Sequence, residues 1–126
     1  MSNISIRAHG VADYLIAAAL LLSPLAVPYP DQVLRKIAAV FGVAIILYSL
    51  LTDYPLALLR FIPFPIHRGL DFFTGVALAF TPMYFGGHGL PAGVFIVTGL
   101  CLIVLAFRTR GKFSATGNDN PLIPGV

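Results

Sequence analysis

Four apolar runs dominate this chain, at about residues 11–27, 33–51, 69–85 and 90–107, and no charged residue lies in the middle of any of them. About 20 apolar residues cross a bilayer as a helix. Helices are required there because a backbone group left unpaired in lipid costs several kcal/mol, and a helix pairs its own. A closed barrel would instead alternate apolar and polar residues over segments of about 10, and these runs do not alternate. With only 10% charged residues and 58% hydrophobic ones, against about 25% charged in soluble domains, the chain cannot cover a water-facing surface. The expected fold is an all-α membrane protein, with four transmembrane helices arranged as two tandem helical hairpins.

Prolines punctuate the runs. Pro24, Pro28 and Pro30 crowd the end of the first and Pro82 lies near the end of the third, where proline stops the hydrogen-bond ladder. Pro65 suits a helix start, so the first and third helices are expected to begin early, near His9 and His67. Arg7 followed by an apolar stretch mimics a signal peptide. However, Pro24 spoils the cleavage site after Ala26, and the same segment recurs inside the chain.

The basic residues are scattered at span ends rather than clustered, which excludes a nucleic-acid surface. With four spans, one side holds Arg7, Arg60, Arg68, Arg108, Arg110 and Lys112, and the other holds Arg35 and Lys36. The positive-inside rule then puts both termini in the cytoplasm. The connector TDYPLALLRFIPFP, residues 52–65, is mostly apolar. It reads either as a short helix in the interface or as an extended strap on the bundle. The loop MYFGGHGLPAG must turn tightly.

HGVADYLIAAALLLSP from position 9 is nearly rewritten as HRGLDFFTGVALAFTP from position 67. At a shift of 58, His9 meets His67, Asp13 meets Asp71, Ala19 meets Ala77, Leu20 meets Leu78 and Pro24 meets Pro82. Tyr14 meets Phe72, Ala17 meets Gly75 and Ser23 meets Thr81; a shift of 57 then pairs Gly42 with Gly99 and Thr52 with Thr109. Repeat 1 is assigned to 1–58 and repeat 2 to 59–113, followed by a polar tail at 114–126 that is expected to be disordered. Parallel repeats are related by an axis along the membrane normal. The two His–Asp pairs therefore belong at one depth, and the small residues at 17/75 and 19/77 belong where helix backbones meet.

The doubled hairpin with Ser23-Pro24 and Thr81-Pro82 resembles the SPW repeat family of small bacterial membrane proteins. The stretch YSLLTDYPLALLRFIPFPIHRGLD also looks like the centre of two-repeat members. Leu25 and Met83 stand where that motif has tryptophan, and the chain has no Trp. The resemblance implies the four-span architecture and a bacterial inner membrane, and carries no established activity.

The candidate site residues are His9, Asp13, His67 and Asp71. Each pair is spaced i, i+4 and shares one helix face. As a cap, an aspartate in the first turn complements the positive dipole end and histidine pairs with it and with lipid headgroups. As ligands, the four could hold a divalent metal, or His9 and His67 could grip a haem. Arg68 is placed to pair with Asp71, and Asp53 at the end of the second span needs a cation such as Arg60. His88 reads as a solvated loop residue, and Cys101, the only cysteine, as a small hydrophobe.

No nucleophile elbow, phosphate loop or zinc-protease helix is present. Ion pathways carry ionisable groups at membrane depth, whereas the central polar groups here are Tyr48, Ser49, Thr74, Thr98 and Cys101. The functional expectation is a non-enzymatic structural or interaction bundle in the lipid bilayer, as a homo-oligomer or with another membrane protein, and without a cofactor. A haem- or metal-binding protein is the alternative, and an oligomeric transporter or channel comes third.

Overall fold

The computed structural model describes residues 4–54 and 57–109. Four helices follow in order: α1 (Ile6–Ala26), α2 (Gln32–Leu50), α3 (Phe64–Phe85) and α4 (Gly89–Arg108). The described chain is thus all-helical apart from its connections. By length and composition α1, α2 and α4 can cross a membrane. α3 is just as long, but it carries His67, Arg68 and Asp71 in its first two turns. The proposed tail at 114–126, with Arg110 and Lys112, lies outside the described residues.

The helices start earlier than the apolar runs do. α1 begins at Ile6 because Ser5 caps it, its hydroxyl accepting from the Ala8 N–H at 3.1 Å. α3 begins at Phe64, with Pro63 at the cap and Pro65 in the first turn, where a missing N–H costs nothing. Pro24 and Pro82 sit inside the last turns of α1 and α3, and Pro28 and Pro30 follow α1. Pro24 cannot donate to the Leu20 carbonyl, and the Ser23 hydroxyl donates to it instead at 2.9 Å. After α3, Gly86 turns the chain at φ +76, a left-handed conformation suited to glycine.

Packing is closest within each hairpin, α1 on α2 and α3 on α4; α1 also meets α4 and α2 meets α3. The bundle therefore closes in the order α1–α2–α3–α4, with α1 and α3 on a diagonal. α3 and α4 touch backbone to backbone: a Cβ on Gly99 would lie 2.5 Å from the Gly75 carbonyl oxygen. In the other hairpin, a Cβ on Gly42 would lie 3.0 Å from the Ala17 carbonyl oxygen. Positions 17/75 are thus where the backbones approach, as the repeated line implies. Ala19 and Ala77 are exposed, which corrects the second small pair. Between these contacts Ala17, Leu20, Ala38, Ile45, Leu78, Phe95 and Leu102 fill the core.

Among its described residues the connector forms no helix before Phe64. Its described residues fold as a strap, with Leu58 and Leu59 N–H groups donating to the Leu50 carbonyl and Phe61 and Ile62 to that of Leu51. Thr52 forms a parallel bridge with Ile62, and Ile4 forms one with Thr109. Ile62 stands 58 residues after Ile4, and Thr109 stands 57 after Thr52. Thus the segment leading into each hairpin pairs with the segment leaving the other, at one end of the bundle.

A buried His–Asp quartet as candidate functional site

His9 and His67 are each the fourth residue of their helix, and Asp13 and Asp71 each the eighth. The i, i+4 spacing points both pairs off one face. Because α1 and α3 are diagonal neighbours, those faces meet inside the bundle. All four side chains are 0% exposed.

The pairing crosses between helices. His9 Nε2 lies 2.6 Å from Asp71 Oδ2, and His67 Nε2 lies 2.8 Å from Asp13 Oδ2. The contacts within a helix are longer, 3.3 Å for His9–Asp13 and 3.1 Å for His67–Asp71. Two nitrogens and two oxygens therefore alternate around one small ring. This corrects the cap reading. Neither aspartate is in a first turn, where the dipole field acts, and no side chain of the four reaches the surface.

The other imidazole nitrogens are anchored by residues just past the ends of α4 and α2. His9 Nδ1 bonds the Thr109 hydroxyl, and His67 Nδ1 lies 2.7 Å from that of Thr52. Each threonine has one hydrogen to donate. Thr52 gives it to the Tyr48 carbonyl at 2.6 Å, and Thr109 gives its own to the Leu105 carbonyl at 2.7 Å. Both hydroxyls must then accept, so both histidines carry hydrogen on Nδ1. In the neutral ring Nε2 faces the carboxylates with a lone pair, and each short Nε2–Oδ2 contact holds one further hydrogen.

The two halves differ at one oxygen. Asp71 Oδ1 accepts from the Tyr48 hydroxyl at 2.7 Å. Asp13 Oδ1 is buried without a hydrogen-bond partner. At the shift of 57, the position matching Tyr48 is Leu105, which has nothing to donate. Aromatic rings also crowd His67 more than His9. Phe64 stacks on His67 at 5.7 Å, and Tyr48 and Tyr54 flank it at 5.1 and 5.3 Å. Burial pushes the Tyr54 phenol above its ordinary range, so it covers the site as a neutral ring.

A haem does not fit the two histidines. Their ring centroids are 5.3 Å apart at 62°, and both Nε2 atoms are engaged with carboxylates in one ring. A porphyrin needs a slot between coaxial nitrogens, and it would have to displace both aspartates. A single ion is different: one donor atom from each of the four residues lies within 4.8 Å of all the others.

The remaining candidates sit elsewhere. The Arg68 Nε–H donates to the Ala106 carbonyl at 2.8 Å rather than pairing with Asp71, which suits a cation at a helix C-terminus. His88 is exposed at the cap of α4. Cys101 is exposed on the outer face. Thr52 and Thr109 are the site residues that chemistry-bearing spacing missed. Their signal was present in the repeat itself, which aligned them without giving them a role. No protein-family model matches the chain, and comparison with curated proteins and with solved structures finds no match.

Proposed function

We propose that this chain is a small integral membrane protein with a structural or interaction role, a polar-locked bundle that associates with itself or with a larger membrane partner. The observation that carries this reading is the cross-paired quartet. Its shortest contacts join one hairpin to the other, and its chemistry is turned wholly inward. The outer faces are apolar, with Leu15, Leu22, Val40, Leu47, Phe73 and Phe80 among the exposed side chains. A pore shared between copies would be lined by these same groups, which argues against a channel.

In this reading α3 crosses the bilayer with the other three helices. Its length and its seam with α4 support that, as does the burial of His67 and Asp71. The matched helix starts, bridges and quartet halves support a tandem duplication, and with it the resemblance to SPW repeat proteins. The charge count supports both ends in the cytoplasm, and the resemblance supports a bacterial inner membrane. Labelling His88→Cys in a Cys101→Ser background with an impermeant thiol reagent tests the orientation: reaction from outside the cell is expected.

Association is tested at Cys101. It lines a groove of about 490 Å³ between α1 and α4 with Ala12, Leu15, Ile16, Val97 and Leu100. A short bis-maleimide added to native membranes is expected to give a crosslinked dimer or a discrete heavier product. Freely diffusing monomers alone would overturn the proposal.

A further inference from the structure

We infer that His9, Asp13, His67 and Asp71 form a site for one divalent first-row transition ion of the zinc class, enclosed by the two hairpins. The inference uses the quartet but not its part in association, so either can fail alone.

Charge balance comes first. Two Nδ1–H imidazoles and two carboxylates carry two negative charges. The quartet as described offsets them with one hydrogen in each short Nε2–Oδ2 contact. One divalent ion supplies the same charge. Uptake would form four metal–ligand bonds and send those two hydrogens to solvent as protons, with no change of oxidation state.

Geometry comes second. The ring has edges of 2.6, 3.1, 2.8 and 3.3 Å. With one donor atom from each residue within 4.8 Å of all the others, small side-chain movements bring the four to the roughly 2.0–2.2 Å of zinc–imidazole and zinc–carboxylate bonds. Imidazole nitrogen favours zinc, iron, nickel and copper, whereas calcium and magnesium prefer oxygen alone.

The surroundings come third. Metal-bound histidines donate their other N–H to an outer partner, which fixes the tautomer and aims the ring. Thr52 and Thr109 do this for His67 and His9. The unpartnered Asp13 Oδ1 is a second, independent sign. It is a buried carboxylate oxygen beside the ring with no hydrogen donor, the condition that a cation relieves. All four ligands are 0% exposed, which suits a retained ion rather than a freely exchanging one.

The test is elemental analysis of the full chain, expressed with added Zn²⁺ and purified in mild detergent, followed by Co²⁺ substitution and its visible spectrum. One zinc per chain is expected, with a four-coordinate cobalt spectrum and about two protons released per ion taken up. Asp13→Asn and His67→Gln should lower metal content at least tenfold, and Thr109→Val should weaken binding about tenfold. Metal-free wild-type protein that is helical and unfolds cooperatively would overturn the inference. So would equal metal content in the two ligand variants, or a six-coordinate cobalt spectrum, each of which puts the ion elsewhere. If the variants fail to fold, the wild-type stoichiometry and spectrum still decide.

Discussion

His9 is bound more closely to Asp71, 62 residues away on the diagonal helix, than to Asp13 one turn along its own: 2.6 Å against 3.3 Å. The spacing in the sequence makes the local pair look self-sufficient. In the bundle the local pair is the looser one, and each histidine serves the other hairpin. A polar group buried without a partner is costly, and two hairpins with complementary needs remove that cost together.

The coupling should follow the crossing. In a double-mutant cycle with His9→Gln and Asp71→Asn, measured by unfolding in detergent, an interaction energy of about 1–3 kcal/mol is expected. The His9/Asp13 cycle should give less. Equal couplings would show that the cross-pairing does not govern stability.

Tyr48 carries the asymmetry of the site. Tyr48→Phe removes the donor to Asp71 Oδ1 and leaves that oxygen like Asp13 Oδ1. A loss of about 1 kcal/mol is expected, the scale of hydrogen bonds between membrane helices. No change in the unfolding midpoint would mean that Tyr48 only packs.

Thr52→Val and Thr109→Val keep shape but remove the acceptor for a buried Nδ1–H. Each should cost about 1–3 kcal/mol, the cost of an unsatisfied buried donor. Serine at either position should restore most of it, and thermal unfolding of the four variants checks both expectations.

Gly99→Ala should be among the most damaging single-methyl changes in the protein. Its Cβ would meet the Gly75 carbonyl oxygen at 2.5 Å and the Ala79 nitrogen at 2.8 Å, both backbone atoms that cannot swing aside. Gly69→Ala has nothing within 4 Å, and by helix propensity should stabilise by up to about 1 kcal/mol. Paired melting curves of the two variants test the seam between α3 and α4.

Much of this was legible beforehand. Apolar runs in a charge-poor chain specify helices, because lipid leaves the backbone no other partner. Their number followed from run length, and the echo at 58 residues located His9, Asp13, His67 and Asp71 as matched pairs. The early starts of α1 and α3 were only partly legible, because polar residues in the first two turns look like headgroup contacts until a neighbouring helix buries them. The strap at 52–62 stayed ambiguous, since a short apolar segment has no period that separates a helix from an extended chain. Ala19 and Ala77 repeat as faithfully as Ala17 and Gly75, yet they face outward. Repetition records equivalence and not direction.

The sequence by itself determined four long, mostly apolar helices and the echo between two of its lines, since hydropathy, backbone pairing and repetition of residues are local properties of the chain. Only the tertiary structure decided which histidine meets which aspartate, and that Thr52 and Thr109 orient both rings. It alone left Asp13 Oδ1 without a donor, because Leu105 stands where Tyr48 stands in the other half. Those facts depend on α1 and α3 lying diagonally across a closed bundle, and a diagonal is a relation among four helices that no single helix encodes.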